Sequence, residues 1–292
     1  MHNALSYLQA IVMGLLQGIT ELFPVSSLGH SVLFPALLGW KFNQSFFLAF
    51  IVGLHVGTAV ALLVYYRQTW KDLFLGTWSQ VQRSRHDGLG SLIRLNDNSI
   101  NRHYRQMALL VMGTIPVAVV ALVAQKHLRA LFAKPEAAAL FLFLNGLILL
   151  GSELLRRRRG RHAVTVTLDS VSPRRALAVG SAQILALFAG ISRSGVTMST
   201  GLWFGFSYEE AANFSFLLAT PVILLAGLAD LPKLMGPAGD GIRLQSLVGA
   251  IVAGVAAYLA VRFLAKWFTT KTLWPFAMYC LVVGGACAIR FA

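Results

Sequence analysis

Two short stretches of this chain gather residues able to bind or cleave an anion. In the first, Gln17 and Glu21 are spaced i, i+4, so both side chains project from one helical face just before Pro24 ends that helix. Ser26, Ser27 and His30 follow within about one turn of a new helix. In the second, Ser192, Arg193, Ser194 and Thr197 come directly after Gly190 and Ile191. Ser26 or Ser27, and likewise Ser192, can cap helices whose first N–H groups have no partner within the helix. Two helix N-termini, an arginine and several hydroxyls at one depth make an anion site, for which phosphate is the natural candidate. A serine at a helix start is ordinarily only a cap. Four serines with Arg193 and His30 in apolar surroundings argue for more.

Glu21 is the only acidic residue in either stretch, and a carboxylate in an apolar segment is functional by default because burying it is costly. Gln17 reads equally well as an interhelical hydrogen-bond partner. An imidazole titrating near pH 6.5, as about expected of a histidine, can take a proton from a hydroxyl or give one to a leaving group. A lone histidine in a membrane is more often a structural hydrogen-bonding group, and for His30 the nearness of Ser27 and Glu21 in sequence favours chemistry. His55, in the middle of the next apolar run without such neighbours, reads as structural or as support for the site.

The elements that must position these residues are apolar helices. Of the 292 residues, 57% are apolar and 12% are charged, where a soluble domain has about a quarter charged. The net charge of +14 would suggest nucleic acid in a soluble protein, but the basic residues fall in short blocks between apolar runs, as in a multispanning membrane protein. Six runs, near 44–66, 107–124, 137–155, 210–230, 246–266 and 273–290, are long enough to cross about 30 Å of hydrocarbon. Two further apolar segments, about 4–38 and 175–207, are interrupted at Pro24-Val25-Ser26-Ser27 and at Gly190-Ile191-Ser192. Irregular backbone at membrane depth needs protein or a water-filled cavity around it, so both are expected to be re-entrant helical hairpins. Cys280 and Cys287 form neither a disulfide ladder nor a metal cluster and read as small buried hydrophobes. No basic region precedes the first apolar stretch, so a cleaved signal peptide is not expected.

If each hairpin returns to its starting side, the loops at 67–106, 156–175 and 262–272 share one face and carry seventeen Lys and Arg, against seven on the other face. The positive-inside rule then puts those loops in the cytoplasm and both termini outside. Within that count, the Arg156 to Arg159 block reads as a stop-transfer flank. Laid over one another at an offset of 166 residues, the broken segments align Gln17 with Gln183, Ser26 with Ser192 and Gly29 with Gly195. Three spans follow each copy, and three is odd, so the second copy enters from the opposite side. The expected fold is an all-α integral membrane domain over 1–292, six transmembrane helices plus two re-entrant hairpins in an inverted-topology repeat. Its halves are about 1–155 and about 170–292.

Gln17-Gly-Ile-Thr-Glu21, Pro24-Val-Ser-Ser27-Leu-Gly-His30 and Gly190-Ile-Ser-Arg193-Ser-Gly-Val-Thr197 together resemble the bacterial undecaprenyl-diphosphatase family, known for bacitracin resistance. The first matches the family's Glu/Gln, three residues, Glu pattern, and the second its Pro-Val-Ser-Ser-x-Gly-His segment. The third is similar to its Pro-Gly-x-Ser-Arg-Ser-Gly-x-Thr segment, with Ala189 where the family usually has proline. The resemblance extends over the rest of the chain, including Ala211-Ala-Asn-Phe-Ser-Phe-Leu-Leu.

The resemblance implies an enzyme of the bacterial cytoplasmic membrane, with its site open to the periplasmic side, that removes one phosphate from undecaprenyl diphosphate. The product is the lipid carrier used for peptidoglycan. It also implies that Glu21 and Gln17 hold a divalent cation, Mg²⁺ or Ca²⁺, whose oxygen preference they suit. Arg193 would bind the diphosphate together with Ser26, Ser192, Ser194 and Thr197, and Ser27 with His30 would perform the transfer. Either Ser27 or His30 could attack phosphorus; Ser27 as nucleophile with His30 as its base is the favoured assignment.

Ser-x-Gly-His and Ser-Arg also resemble pieces of the phosphatidic-acid-phosphatase superfamily. No histidine follows Arg193, so that superfamily's histidine pair is absent and the likeness is convergent. The competing class is a carrier of a lipid phosphate, since inverted repeats with broken helices are common in secondary transporters. No ring of charges or filter-like carbonyl motif supports a channel. The expected ligand is an isoprenoid lipid diphosphate within the membrane, with no nucleic acid.

Overall fold

A computed structural model describes residues 5–42, 44–93, 95, 100–132, 134–159 and 166–292. Eleven α-helices are described: α1 (Tyr7–Thr20), α2 (Ser27–Leu37), α3 (Gln44–Tyr65), α4 (Arg67–Asp87), α5 (Arg102–Phe132), α6 (Pro135–Arg159), α7 (Pro173–Ser181), α8 (Arg193–Trp203), α9 (Tyr208–Met235), α10 (Arg243–Trp267) and α11 (Trp274–Phe291). Among the described residues the only strand-like feature is an isolated bridge between Val166 and Phe206. The helices long and apolar enough to span a membrane are α3, α5, α6, α9, α10 and α11, the six expected runs.

The side chains are sorted for lipid. On α10, Leu244, Leu247, Ile251, Val255, Leu259 and Phe263 are exposed, while Ser246, Gly249, Ala253, Ala256, Ala257 and Ala260 are buried. Large apolar residues outside and small ones inside is the reverse of a soluble helix, and it lets backbones approach closely where no water drives association. The same sorting on α1 exposes Leu8, Ile11, Leu15 and Ile19 and buries Ala10, Gly14, Gln17 and Gly18 against α10.

Helices of the N-terminal and C-terminal halves of the chain pair with one another. The first arm of each broken segment packs against a span of the other half, α1 on α10 and α7 on α5; the spans α3 and α9 face one another, as do α6 and α11. Both second arms, α2 and α8, rest on α6. The arms are short. At 14 and 11 residues, α1 and α2 reach about 21 and about 16 Å, too little for either to cross the hydrocarbon alone.

One expected loop is largely helical. Residues 67–87 form α4, which continues from α3 past Tyr66 and packs on α5. Its inner face carries Trp70 and Leu73 but then Gln80 and Ser84, so the apolar period fades where buried polar groups take over. Gln80 Oε1 accepts from Asn101 N at 3.0 Å, and Asn101 Oδ1 accepts from His103 N at 2.9 Å, starting α5 at Arg102, five residues before the expected run at 107. Among the basic residues of the charge count, Arg94 and Arg161 lie outside the described residues, as do the side chains of Lys126, Arg129, Arg159 and Lys233.

Candidate functional site

The two breaks meet backbone to backbone. Gly190 has φ +109°, a conformation L side chains rarely adopt, and a Cβ there would lie 2.6 Å from Leu142 N of α6. Across the junction, a Cβ on Gly29 would lie 2.8 Å from Gly190 Cα. Ser26, at φ +69°, caps α2 and also bridges the halves: its Oγ accepts from Gly29 N at 3.2 Å and from Gly190 N at 3.1 Å. Ser192 caps α8, its Oγ accepting from Gly195 N at 3.1 Å. Ser194 Oγ donates to Phe23 O at 3.2 Å, tying the start of α8 to the first break. Asn145, fully buried on α6, completes the junction by donating to Pro24 O at 3.0 Å and accepting from Ser192 N at 2.9 Å.

On one side of this junction lies a corner of reactive groups. Glu21, 8% exposed, is the C-cap of α1. Its Oε2 accepts from Ser27 Oγ at 2.5 Å and from Gln17 Nε2 at 3.0 Å, and its Oε1 accepts from Arg193 Nη2 at 3.0 Å. The i, i+4 spacing of Gln17 and Glu21 thus makes a direct bond. The cation from α8 neutralises the carboxylate from α1, which is what allows both to be buried. Arg193 also donates to Ser215 O of α9 at 3.4 Å, and Thr197 Oγ1 lies 2.7 Å from Ser215 Oγ. The amides of Ser27, Leu28, Arg193 and Ser194 make no hydrogen bond within the described residues, leaving the first donors of both helices available to an anion.

His30 is placed differently from the sequence expectation. Its Nδ1 donates to Ser26 O at 2.7 Å and its Nε2 lies 2.7 Å from Tyr279 Oη on α11. Because a carbonyl only accepts, Nδ1 carries the proton, and in the neutral ring Nε2 accepts from the Tyr279 hydroxyl. Both ring nitrogens are therefore engaged away from Ser27, and the group that receives the Ser27 hydroxyl is Glu21. His55 of α3, read from sequence as structural or supporting, has its Nε2 3.7 Å from Glu21 Oε2.

Three participants went unassigned in the sequence: Asn145, Ser215 and Tyr279. A lone amide in the apolar run of α6 was the available signal for Asn145. Tyr279 and Ser215 carry no local signature; only the fold brings them to the site. No group of three or more His, Cys, Asp and Glu able to hold a metal occurs among the described residues. Gln17 Oε1 is a buried acceptor with no donor, an amide oxygen of the kind hard cations take, although Gln17 meets Glu21 through Nε2.

A multispanning helical protein whose buried junction joins two helix starts, a hydroxyl, a carboxylate and a guanidinium is a membrane protein built to handle an anionic group. The chain belongs to the bacitracin resistance protein BacA family, whose profile matches residues 10–286. It is 46% identical to undecaprenyl-diphosphatase 2 of Frankia alni, across all of this chain and 99% of that protein. It is also 46% identical to undecaprenyl-diphosphatase of Mycolicibacterium paratuberculosis, across 99% of this chain and 98% of that protein. With undecaprenyl-diphosphatase 2 of Chromobacterium violaceum the identity is 42%, across 95% and 96%.

Proposed function

We propose that this chain is an undecaprenyl-diphosphate phosphatase, hydrolysing undecaprenyl diphosphate to undecaprenyl phosphate and inorganic phosphate, and so conferring bacitracin resistance. The observation that carries the reading is the 2.5 Å bond from the Ser27 hydroxyl to a carboxylate fixed by Arg193, set between two helix starts. Family membership and the names of the relatives point the same way. In this reading the Ser27 oxygen attacks the terminal phosphorus and Glu21 takes the hydroxyl proton. The bond to the bridging oxygen breaks and undecaprenyl phosphate leaves; water then cleaves the phosphoserine to free phosphate. Arg193 and the α2 and α8 amides hold the phosphoryl oxygens, and the Ser192, Ser194 and Thr197 hydroxyls, bonded within the junction, would join them by turning toward the bound phosphate. His30, bonded to Ser26 O, orients the residue that caps the Ser27 helix. A divalent cation, Mg²⁺ or Ca²⁺, would be held by Glu21 and Gln17 and would neutralise charge on the diphosphate.

Phosphate release from undecaprenyl diphosphate by the purified protein, with and without chelator, tests the activity and the cation together. A carrier of lipid phosphates would release none, and the Ser27 to Glu21 bond would serve it no purpose.

The proposed setting is the bacterial cytoplasmic membrane, with the broken segments re-entrant, both termini outside and the site open to the periplasm. The support is the excess of basic residues in the loops at 67–106, 156–175 and 262–272. With Cys280 and Cys287 replaced, Ser6→Cys should react with an impermeant thiol reagent in intact cells and Gln82→Cys should not. Both positions are exposed, so the reverse pattern would overturn the orientation.

A further inference from the structure

An outward-facing groove on α6 has no part in the reading above. It holds about 460 Å³ and is lined by apolar side chains and Gly151. Phe141, Leu144, Ile148 and Gly151 come from one face of α6, while Phe188 and Trp203 line it from the second broken segment. From Phe141 to Gly151 the helix rises about 15 Å, the depth of one leaflet of a hydrocarbon core about 30 Å thick. Gly151 stands apart from the other glycines inside the described α-helices. Each of the others would bring a Cβ within 4 Å of a neighbouring group, whereas a Cβ on Gly151 would meet nothing. Glycine weakens a helix relative to alanine, and here no protein group needs the space it leaves.

Trp203 also lines a second, smaller pocket of about 220 Å³, with Leu155, Arg156 and Leu202. Arg156 lies about 7.5 Å beyond Gly151 along α6. Its guanidinium is held in place, Nη1 donating to Phe206 O at 3.2 Å and the central carbon lying 4.0 Å over the Tyr208 ring. Glu153, one turn back on α6, is engaged elsewhere, with Oε1 accepting from Leu273 N and Oε2 from the Tyr208 hydroxyl. No carboxylate among the described residues pairs with Arg156, and its Nε and Nη2 make no hydrogen bond there. A fixed guanidinium beside a tryptophan, at the end of an apolar slot one leaflet deep, matches the head and chain of an anionic lipid.

We propose that the groove binds one anionic phospholipid from the leaflet on the side of the basic loops, with its head phosphate on Arg156 and one acyl chain over Gly151. The sequence shows Arg156 only as part of a basic block, and the structure sets it apart from Arg157 and Arg158, which are exposed. The occupant is distinct from the lipid diphosphate of the proposed reaction. Arg193 opens α8 and Trp203 ends it, about 15 Å further on, so a diphosphate held at Ser27 and Arg193 leaves Arg156 without a phosphate.

Native mass spectrometry tests this on the purified, delipidated protein, titrated with phosphatidylglycerol or with phosphatidylcholine of the same chains. One phosphatidylglycerol is expected to stay bound, with phosphatidylcholine at least about fivefold weaker, the effect of one basic residue on a lipid charge. Arg156→Gln should erase that preference, whereas Arg290→Gln, which removes the same charge at the far end of α11, should keep it. Gly151→Leu places its side chain in open space and should lose the retained lipid, which keeps the test decisive even if Arg156→Gln does not fold. Equal retention of the two phospholipids, or phosphatidylglycerol held unchanged by Gly151→Leu, would overturn the proposal. Displacement of phosphatidylglycerol by an equimolar amount of undecaprenyl phosphate would overturn it too, by giving the groove to the isoprenoid tail.

Discussion

Ser26 and Ser192 follow the breaks of the two interrupted segments and cap their helices in the same way, with Gly29 N bonding Ser26 Oγ at 3.2 Å and Gly195 N bonding Ser192 Oγ at 3.1 Å. At the next position the copies part: the first has Ser27 and the second Arg193. Four residues after the shared glutamine they part again, Glu21 in one and Leu187 in the other. Gln17 accordingly donates to a carboxylate, while Gln183 donates to Gly113 O and Gly180 O at 3.4 and 3.2 Å. The backbone device is common and the chemistry is divided. One break supplies a hydroxyl and a carboxylate, the other supplies the guanidinium, and neither break alone has all three.

That division can be broken from either side. Glu21→Gln keeps an acceptor oxygen but removes the charge proposed to take the Ser27 proton and paired with Arg193, and phosphate release is expected to fall by about 10²–10⁴. Retention of more than a tenth of the wild-type rate in a folded protein would take the base role from Glu21. Arg193→Lys keeps the charge but loses the planar fork, and a fall of about 10²–10³ is expected, read as kcat and KM on purified protein. A change confined to KM would make Arg193 a binding group with no special role in the transition state.

The junction itself is the next target. Asn145→Leu strands the buried Ser192 N and leaves Pro24 O only the Cys280 Sγ donor at 3.8 Å, so a loss of about 1–3 kcal/mol in stability is expected in thermal or denaturant unfolding. An unfolding midpoint like that of the wild type would show that other contacts hold the breaks together. The smallest effect belongs outside the comparison. Ser207 caps α9 by accepting from Glu210 N at 3.0 Å, away from both breaks, and Ser207→Ala should cost about 1 kcal/mol while leaving kcat unchanged.

The six spans could be read because apolar length alone marks them, and the two breaks because Pro24, Gly190 and serines interrupt apolar runs. Gln17, Glu21, Ser27 and Arg193 were legible for a related reason, since polar groups stand out against an apolar background. Which of them touch was not. The sequence spacing brings His30 one turn from Ser27, yet its ring turns to Ser26 O and to Tyr279, a partner 249 positions away that no local pattern announces. The Ser27 hydroxyl instead reaches back six positions to Glu21, because the irregular 21–26 segment folds the start of α2 onto the end of α1. In the same way, α4 was hidden because Gln80 and Ser84 interrupt its inner apolar face.

The account depends most on Ser27 being the group that attacks phosphorus. Ser27→Ala, purified and folded, is assayed for phosphate release from undecaprenyl diphosphate beside the wild type, with binding of the lipid measured in parallel. Loss of an attacking group should lower the rate by several orders of magnitude, about 10³ or more, with binding nearly unchanged because Arg193 and the helix amides remain. A neutral hydrogen bond is worth only about 0.5–1.5 kcal/mol, roughly tenfold at most, so a fall of that size would reduce Ser27 to a contact and contradict the account.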